Sequence, residues 1–463
     1  MAEESIRAPE NRFELETELA RDLGLLGATT VIIGGIIGSG IFGAPAGIAK
    51  QLGSPGLMML VWVVGGILSF CGAVCFAELG AMMPRTGGQL IYLRQVYPPI
   101  IAFLYGWTEA FLIQTAAMSA IAFIFTSYLG YFLPSISPDN PLVTVGSYVF
   151  STQHAAMLVS IIFLGAVNYF GVRFGGFVQN LFTISKVIAL GGLVLLVIAI
   201  GGEWGHFRPL FPENPRPDLA GAFGASMIGA MFAYNGWHNA NMVAGEIKDP
   251  RRMLPRAIII ALSICTAIYL AVNWSYLYVM TIEEIATSPR IAADVATRLI
   301  GPIGGSLISA AVMISTFGTI NGGMLAVPRI SYAMAKEGLF FKWLTYVHPV
   351  YKTPSRSIIA ITVWGAIWTF LGDFQAIIDS FAYSMYTFYI LTVIALFILR
   401  RKYPNVERPV KTWGYPITPI IFLAIATWYV GTVLIFKTWE SLPGLIFLAA
   451  GLPMYFIWFR KTK

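Results

Sequence analysis

The amino-acid sequence predicts an all-α integral membrane protein with twelve transmembrane helices. The chain has 463 residues, of which 57% are hydrophobic and only 11% are charged. That composition leaves too little polar surface to cover soluble domains of this size. Long apolar segments recur along the whole chain, and they lack the alternation over about ten residues that a membrane β-barrel requires. The chain is therefore expected to lie in a lipid bilayer as a bundle of helices.

Twelve segments are long enough to cross the hydrocarbon core, which is about 30 Å thick and needs about 20 helical residues. They cover residues 24–50, 56–80, 98–132, 154–171, 178–201, 219–245, 254–280, 302–335, 355–372, 374–400, 413–437 and 441–459. Residues 1–22, before the first segment, are polar and acidic and have no apolar centre typical of a cleavable signal peptide. The first span is therefore expected to be retained.

The distribution of positive charge predicts the orientation of the chain. With a cytoplasmic N-terminus, 23 of the 30 lysines and arginines fall on the cytoplasmic side, six fall outside and Lys186 falls within a span. This asymmetry follows the positive-inside rule and places both termini in the cytoplasm. The formal net charge of +7 is then accounted for by lysines and arginines in short loops beside anionic lipid headgroups. Nucleic acid is therefore not expected as a partner.

The cysteines and histidines form no catalytic or metal-binding pattern. Cys71, Cys75 and Cys265 lie within predicted spans, so we expect neither a disulfide framework nor a disulfide-linked heavy subunit. The four histidines are widely scattered, and the sequence contains no H-E-x-x-H motif. The sequence thus predicts a protein that is not an enzyme and that has no metal site and no cofactor.

A glycine-rich run, GGIIGSGIFGAP, occupies residues 34–45 of the first span. It contains the G-x-G-x-x-G pattern of dinucleotide sites, but it is not preceded by a predicted strand, and the next acidic residue is Glu78. A small-residue packing face would explain Gly34 and Gly38. It would not explain five glycines within ten residues, each of which weakens a helix by about 1 kcal/mol. We therefore expect the first span to be broken here.

A second break is expected in the sixth span, where residues 235–241 read NGWHNAN. The two breaks fall at the same place in two halves of five spans each, and halves with an odd number of spans enter the membrane from opposite sides. Paired interruptions of this kind are typical of secondary transporters with inverted repeats. The predicted organisation is a cytoplasmic segment at 1–22, repeats at 23–201 and 219–400, helices 11 and 12 at 413–459, and a cytoplasmic tail at 460–463.

The broken helices also predict a class of ligand. Where a helix unwinds, the N-terminal end of one half exposes backbone N–H groups and the positive end of the helix dipole. The end of the other half exposes backbone carbonyls. The N–H groups suit a carboxylate and the carbonyls suit an ammonium group, so a zwitterionic α-amino acid would satisfy both.

Several motifs resemble those of a known family. They are GGIIGSGIF at 34–42, PRTGG at 84–88, FAYNGW at 232–237, GEIKDPRRMLPRA at 245–257, NGGMLAVPRISYAMAKEG at 321–338 and VHPVYKTP at 347–354. The chain resembles the L-amino acid transporter family of the amino acid, polyamine and organocation superfamily, especially its bacterial serine/threonine and alanine/serine/cysteine exchangers. The resemblance implies the leucine-transporter type of inverted-repeat fold. It also implies a sodium-independent antiporter of neutral L-amino acids in a plasma membrane, with serine, threonine, alanine and cysteine favoured.

The resemblance further implies the site residues. The backbone groups that would meet the substrate are N–H groups for its carboxylate, at Gly38, Ser39 and Gly40, and carbonyls for its amino group, near Ile36 and at Phe232, Ala233 and Asn235. Phe232 would also close over the substrate from outside as a gate. Family members often have glycine in place of Asn235 and a different residue in place of His238, so the preferred side chain stays open.

Lys186 lies within the fifth span without an acidic residue on its own helix. From the residues alone, it either extends its ammonium group to the cytoplasmic surface or has a functional role. The resemblance implies that it replaces the sodium ion of related folds. Its expected partners are the first span near Gly35 and a hydroxyl of the eighth, Thr319 first and Ser315 second. The alternative is that Lys186 releases a proton during transport, which would make the protein a proton-coupled symporter.

Three acidic residues each keep two interpretations. Glu109 and Asp379 either serve a proton relay or make satisfied polar contacts between helices. Glu246 belongs either to an inner-gate cluster with the basic residues at 248–256 or to a solvated loop. A channel or a nutrient sensor with the same fold is a further alternative, which a flux measurement would separate from a carrier.

Overall fold

The computed structural model describes residues 23–83, 88–146, 148–171, 176–215, 217–241, 247–336, 338 and 340–460, without the side chains of 176–184, 239, 240, 333 and 458–460. The predicted N-terminal segment and residues 461–463 of the predicted tail lie outside this part of the chain. The described residues are mostly helical.

The helices of the first half are α1 (Leu25–Ile36), α2 (Gly40–Leu52), α3 (Pro55–Met82), α4 (Gln89–Val96), α5 (Pro99–Thr108), α6 (Gln114–Phe132), α7 (Thr152–Tyr169) and α8 (Gly176–Ile200). Those of the second half are α9 (Leu219–Ala233), α10 (Pro250–Val279), α11 (Ile282–Thr287), α12 (Ile291–Ile300), α13 (Pro302–Lys336), α14 (Ser355–Trp368), α15 (Phe374–Asp379), α16 (Ala382–Lys402), α17 (Ile417–Phe436) and α18 (Thr438–Arg460). A π-helical turn, Glu109–Ile113, joins α5 to α6. Among the described residues, eight helical stretches are long and apolar enough to cross a membrane, and the bent pair α1–α2 would make a ninth.

Both predicted helix breaks are confirmed. α1 ends at Ile36 and α2 begins at Gly40, and their axes are bent by 41°. α9 ends at Ala233, and after a turn a short 3-10 helix covers Trp237–Asn241. Gly236 in that turn has a φ angle of 116°, which residues with a side chain rarely adopt. The second break therefore depends on a glycine.

A small β-hairpin corrects the all-α expectation outside the spans. Strand β1 (Pro141–Val145) pairs antiparallel with β2 (Tyr148–Ser151) between α6 and α7. Gly146, at the turn, has a φ angle of 61° and so favours the tight reversal. Strands of five and four residues are too short to register in a hydropathy window of about 19 residues. The expectation of helices alone is wrong for these residues.

The helices enclose the two breaks. α1 and α3 both pack against α10, α2 packs against α9, and α13 packs against α6 and α8. Bulky aromatic side chains without exposed surface fill this interior, among them Trp62 and Trp237. Apolar side chains also cover much of the outside, since Leu195 is 68% exposed and Ile303 is 72% exposed. Such an exterior is unfavourable in water and is typical of a protein surrounded by lipid.

A buried ion cluster joins the end of α3 to the end of α16. Glu78 has no exposed surface and accepts hydrogen bonds from the Arg400 guanidinium at 2.9 and 2.5 Å. It also accepts from the backbone N–H and the hydroxyl of Thr412, at 2.6 and 2.7 Å. The Nε atom of Arg408 lies 3.6 Å from the same carboxylate. One buried carboxylate therefore connects α3, α16 and the loop that precedes α17.

Candidate binding site at the two helix breaks

The two breaks lie directly against each other. A Cβ atom built at position 40 would come within 2.4 Å of the Cα atom of Ala233, and one at position 236 within 2.5 Å of the carbonyl oxygen of Gly35. Both distances are shorter than any normal contact, so this approach requires Gly40 and Gly236. The residues predicted for one site from two distant parts of the sequence are therefore neighbours.

A tyrosine from α10 bonds to both breaks. Tyr269 has no exposed surface, and its hydroxyl lies 2.8 Å from the carbonyl oxygen of Ile36 and 2.9 Å from that of Ala233. These two carbonyls, which the sequence analysis assigned to a substrate amino group, thus share one hydroxyl donor. No signal in a single sequence marks Tyr269, because a tyrosine within an apolar helix has the same pattern as a core residue.

The backbone around Ser39 presents N–H donors, with one difference from expectation. Ser39 and Gly40 stand at the start of α2, where backbone N–H groups have no acceptor within the helix. The N–H of Gly38 instead donates to the Ile36 carbonyl at 2.8 Å, so it is engaged in this conformation. The buried Ser39 hydroxyl has no hydrogen-bond partner among the described residues. The donors that remain for an anion are therefore at Ser39 and Gly40.

Lys186 reaches both helices that the sequence analysis named. Its Nζ atom lies 2.7 Å from the Thr319 hydroxyl on α13 and 3.4 Å from the carbonyl oxygen of Gly34 at the end of α1. The structure contains the expected contact with Thr319, and the carbonyl of the first span is that of Gly34, next to Gly35. Ser315 does not contact Lys186 in the described hydrogen bonds, although its backbone carbonyl accepts a bond from Thr319 at 2.9 Å. Only 3% of Lys186 is exposed, and it forms no ion pair with any described residue.

Aromatic side chains close one side of the site. Phe232 is buried, and its ring packs edge to face against Phe374 of α15 at 5.7 Å and Phe381 at 6.0 Å. The Phe232 carbonyl accepts a hydrogen bond from the N–H of Asn235 at 3.2 Å. Gly35, Gly38 and Asn235 keep some exposed surface. The site is therefore covered by phenylalanine rings at the end of α9 and remains partly accessible at the breaks.

The Asn235 side chain belongs to a buried polar chain. Its Oδ1 atom accepts from the N–H of Gly236 at 2.8 Å and from the Tyr389 hydroxyl at 3.0 Å. The Tyr389 oxygen in turn lies 2.7 Å from Nδ1 of His238. The sequence indicated that Asn235 and His238 affect the pocket, but it contained no signal for Tyr389, which lies 151 residues further along.

The other predicted polar residues make local contacts. Glu109 accepts a hydrogen bond from Gln114 at 2.7 Å, and Asp379 accepts one from Gln375 at 2.6 Å and pairs with Lys437 at 3.2 Å. The Asp379–Lys437 pair joins α15 to the end of α17, as a satisfied polar contact between helices would, whereas the Glu109 contact lies within its own span. Glu246 lies outside the described residues. Within the described part of the chain, no group of three or more His, Cys, Asp or Glu side chains could hold a metal ion.

Two broken helices that share one buried site inside a bundle of apolar helices define a membrane transporter. The chain belongs to the amino acid permease family, whose model matches residues 23–452. It is 32% identical over 441 residues to the serine/threonine exchanger SteT of Bacillus subtilis. The matched region covers 95% of this chain and 97% of that protein. The family and its members named here are transporters, not enzymes.

Two groups of animal proteins are similar over comparable lengths. The human b(0,+)-type amino acid transporter 1 is 31% identical over 460 residues, covering 98% of this chain and 91% of that protein. The mouse large neutral amino acids transporter small subunit 2 is 31% identical over 458 residues, covering 96% and 83%. All three relatives span nearly the whole chain, including both breaks. They support amino acid transport as the general function.

Proposed function

We propose that the protein is a sodium-independent antiporter that exchanges neutral L-amino acids across the plasma membrane by alternating access. Small amino acids such as serine, threonine, alanine and cysteine are the favoured substrates. The observation that carries this proposal is the contact between the two helix breaks, which places unbonded N–H groups and backbone carbonyls around one buried point. The exchanger named among the relatives supports both antiport and a hydroxyl amino acid as substrate.

The substrate is held at its charged groups by backbone atoms. Its carboxylate binds the N–H groups at Ser39 and Gly40, and that of Gly38 once its bond to Ile36 opens. Its ammonium group binds carbonyls at Ile36, Phe232, Ala233 and Asn235. A carbonyl oxygen accepts two hydrogen bonds, so a carbonyl bonded to Tyr269 can still receive the ammonium group. Phe232 acts as the outer gate, supported by its packing against Phe374 and Phe381.

Lys186 takes the place of a sodium ion. Its ammonium group lies between α1 and α13, close to one carbonyl oxygen and one hydroxyl, which are the oxygen types that a hard cation prefers. A positive charge that is part of the chain supplies this bridge in every state of the cycle. Transport would then be independent of sodium, with Thr319 as the principal partner and Ser315 adjacent to it.

The proposed topology is that of twelve spans in the leucine-transporter type of fold. Support comes from the described residues, which contain eight candidate spans, the bent pair α1–α2 and three shorter apolar helices. The repeats cover 23–201 and 219–400, helices 11 and 12 follow at 413–459, and both termini are cytoplasmic. All three cysteines are buried, which supports function without a disulfide-linked heavy subunit.

The decisive experiment is uptake of radiolabelled L-serine into proteoliposomes that contain the purified protein. Vesicles are compared with and without several millimolar unlabelled serine or alanine inside, at equal pH and without sodium. The antiporter is expected to take up serine only when the vesicles contain amino acid. Protein-free vesicles are the control.

Proton-coupled symport is the second candidate function. The observation that supports it is that Lys186 has no ion-pair partner among the described residues. Symport predicts serine uptake into empty vesicles driven by an inward proton gradient. That result would overturn antiport. Absence of uptake under every condition would exclude serine as a substrate.

Removal of the Tyr269 hydroxyl is expected to slow exchange. Tyr269→Phe leaves the ring in place but removes the only side-chain donor among the described residues that bonds to both breaks. One such hydrogen bond is worth about 1 kcal/mol. We expect a fall in exchange rate of about fivefold to tenfold. The matched control is Tyr276→Phe on the same helix, whose buried hydroxyl has no described partner. Equal rates for both variants would show that the bridge does not contribute.

A further inference from the structure

We propose that Tyr389 and His238 are positioning residues that hold the Asn235 amide with its NH₂ group towards the substrate, so that the site favours amino acids whose side chain carries a hydrogen-bond acceptor. This inference rests on the proposed function, because it names the side-chain preference of the same site. It assigns roles to two residues on different helices, neither of which is proposed to bind the substrate carboxylate or ammonium group.

The backbone determines which way the amide faces. The N–H of Gly236 lies 2.8 Å from Oδ1 of Asn235, and a backbone N–H can only donate. If the amide were turned over, its NH₂ group would face that N–H, and two donors would oppose each other. The oxygen of Asn235 must therefore lie at this position, and the nitrogen must lie on the other side of the amide.

The amide oxygen then determines which group donates in each hydrogen bond from His238 to Asn235. Oδ1 can only accept, so Tyr389, at 3.0 Å, must donate its single hydroxyl proton to it. The contact of 2.7 Å between Tyr389 and Nδ1 of His238 then requires the proton to be on the histidine nitrogen. His238 therefore donates to Tyr389, and Tyr389 donates to Asn235. Both His238 and Tyr389 are buried, so water does not provide alternative partners.

These hydrogen bonds leave the Asn235 nitrogen free to donate to the substrate. Oδ1 already receives two hydrogen bonds, whereas Nδ2 has no acceptor among the described residues, and Asn235 is only partly buried at the break. The NH₂ group matches the hydroxyl oxygen of serine or threonine, or the amide oxygen of asparagine or glutamine. Alanine offers no acceptor. A site with an unused donor discriminates against a ligand that cannot satisfy it.

Tyr389→Phe tests the inference through substrate preference. The readout is the ratio of kcat/KM for serine to that for alanine in the exchange assay. The wild-type ratio is expected to be about fivefold to tenfold, the value of one neutral hydrogen bond. Without the Tyr389 hydroxyl only the Gly236 N–H holds the amide oxygen, so the NH₂ group is less firmly oriented. The ratio is expected to fall towards one while alanine exchange changes by less than about twofold. The matched control is Tyr386→Phe, a buried tyrosine one turn away on α16, which should leave the ratio unchanged.

His238→Leu provides a second, independent readout. The single variant should lower the serine preference less than Tyr389→Phe does, because Tyr389 can still donate to Asn235. In the Tyr389→Phe background it should have no further effect on the ratio, since it acts only through Tyr389.

Three results would overturn the inference. They are an unchanged ratio in Tyr389→Phe, an equal loss of serine and alanine exchange in that variant, and a wild-type protein that exchanges serine and alanine equally well. In the third case exchange itself persists, so the proposed function stands. Absence of exchange for both substrates in the wild type would instead overturn the proposed function and the inference with it.

Discussion

Replacement of Lys186 by alanine is expected to lower the exchange rate by at least about a hundredfold. The substitution removes a buried cation that bonds to Thr319 at 2.7 Å and to Gly34 at 3.4 Å. A hydrogen bond to a charged group is worth about 1.5–3 kcal/mol, and two such bonds correspond to a hundredfold change or more. The measurement is serine exchange in proteoliposomes with equal amounts of inserted protein.

Two further variants make this result specific. Lys50→Ala removes an exposed lysine at the end of α2 and should exchange at the wild-type rate. Thr319→Val removes the shorter of the two Lys186 contacts. Its exchange rate should lie between those of the wild type and Lys186→Ala, about tenfold below the wild type. A Lys186→Ala protein with the wild-type rate and an unchanged pH dependence would refute the role of Lys186.

Replacement of Glu78 by glutamine is expected to lower the free energy of unfolding by about 3–5 kcal/mol. The variant keeps the shape of the side chain but removes the only carboxylate that pairs with Arg400 and Arg408 among the described residues. The side chains of these arginines are only 19% and 10% exposed. Two largely buried cations would then lack a counter-charge. The thermal midpoint of the detergent-solubilised protein, followed by size-exclusion chromatography, measures the loss.

Glu407→Gln is the matched control for this prediction. Glu407 also pairs with an arginine, Arg251 at 2.9 Å, but its side chain is 73% exposed. An exposed ion pair contributes about 1 kcal/mol or less, so the thermal midpoint should hardly change. Similar midpoints for the Glu78 and Glu407 variants would mean that the buried cluster does not stabilise the protein.

The sequence predicted the helices and their interruptions because both depend on local composition. Apolar stretches of about 20 residues and the glycine run at 34–45 are visible without any tertiary information. The hairpin at Pro141–Ser151 was missed because its strands are shorter than any hydropathy window. The π-helical turn at Glu109–Ile113 was missed because its residues are typical of any apolar helix.

The candidate site was predictable where the backbone defines it and unpredictable where distant side chains complete it. Five glycines within ten residues and the asparagines of the second break are unusual in a membrane span, and Lys186 lies within a span without an acidic residue on its own helix. Tyr269 and Tyr389 carry no such mark, because tyrosine is common in buried helices. Their contacts depend on how α10 and α16 pack against the breaks, and a single sequence does not contain that geometry.

The contact between the breaks depends on glycine at positions 40 and 236 and on backbone atoms, not on a matched set of side chains. Backbone N–H and C=O groups are the same in every residue type, so mutation at most positions leaves them intact. Under the proposed function, recognition of the amino acid headgroup resists evolutionary drift as long as these two glycines persist. The accepted side chain can change separately, through single substitutions around Asn235. Proteins that have diverged to 32% and 31% identity can therefore keep one headgroup site while they come to transport different amino acids.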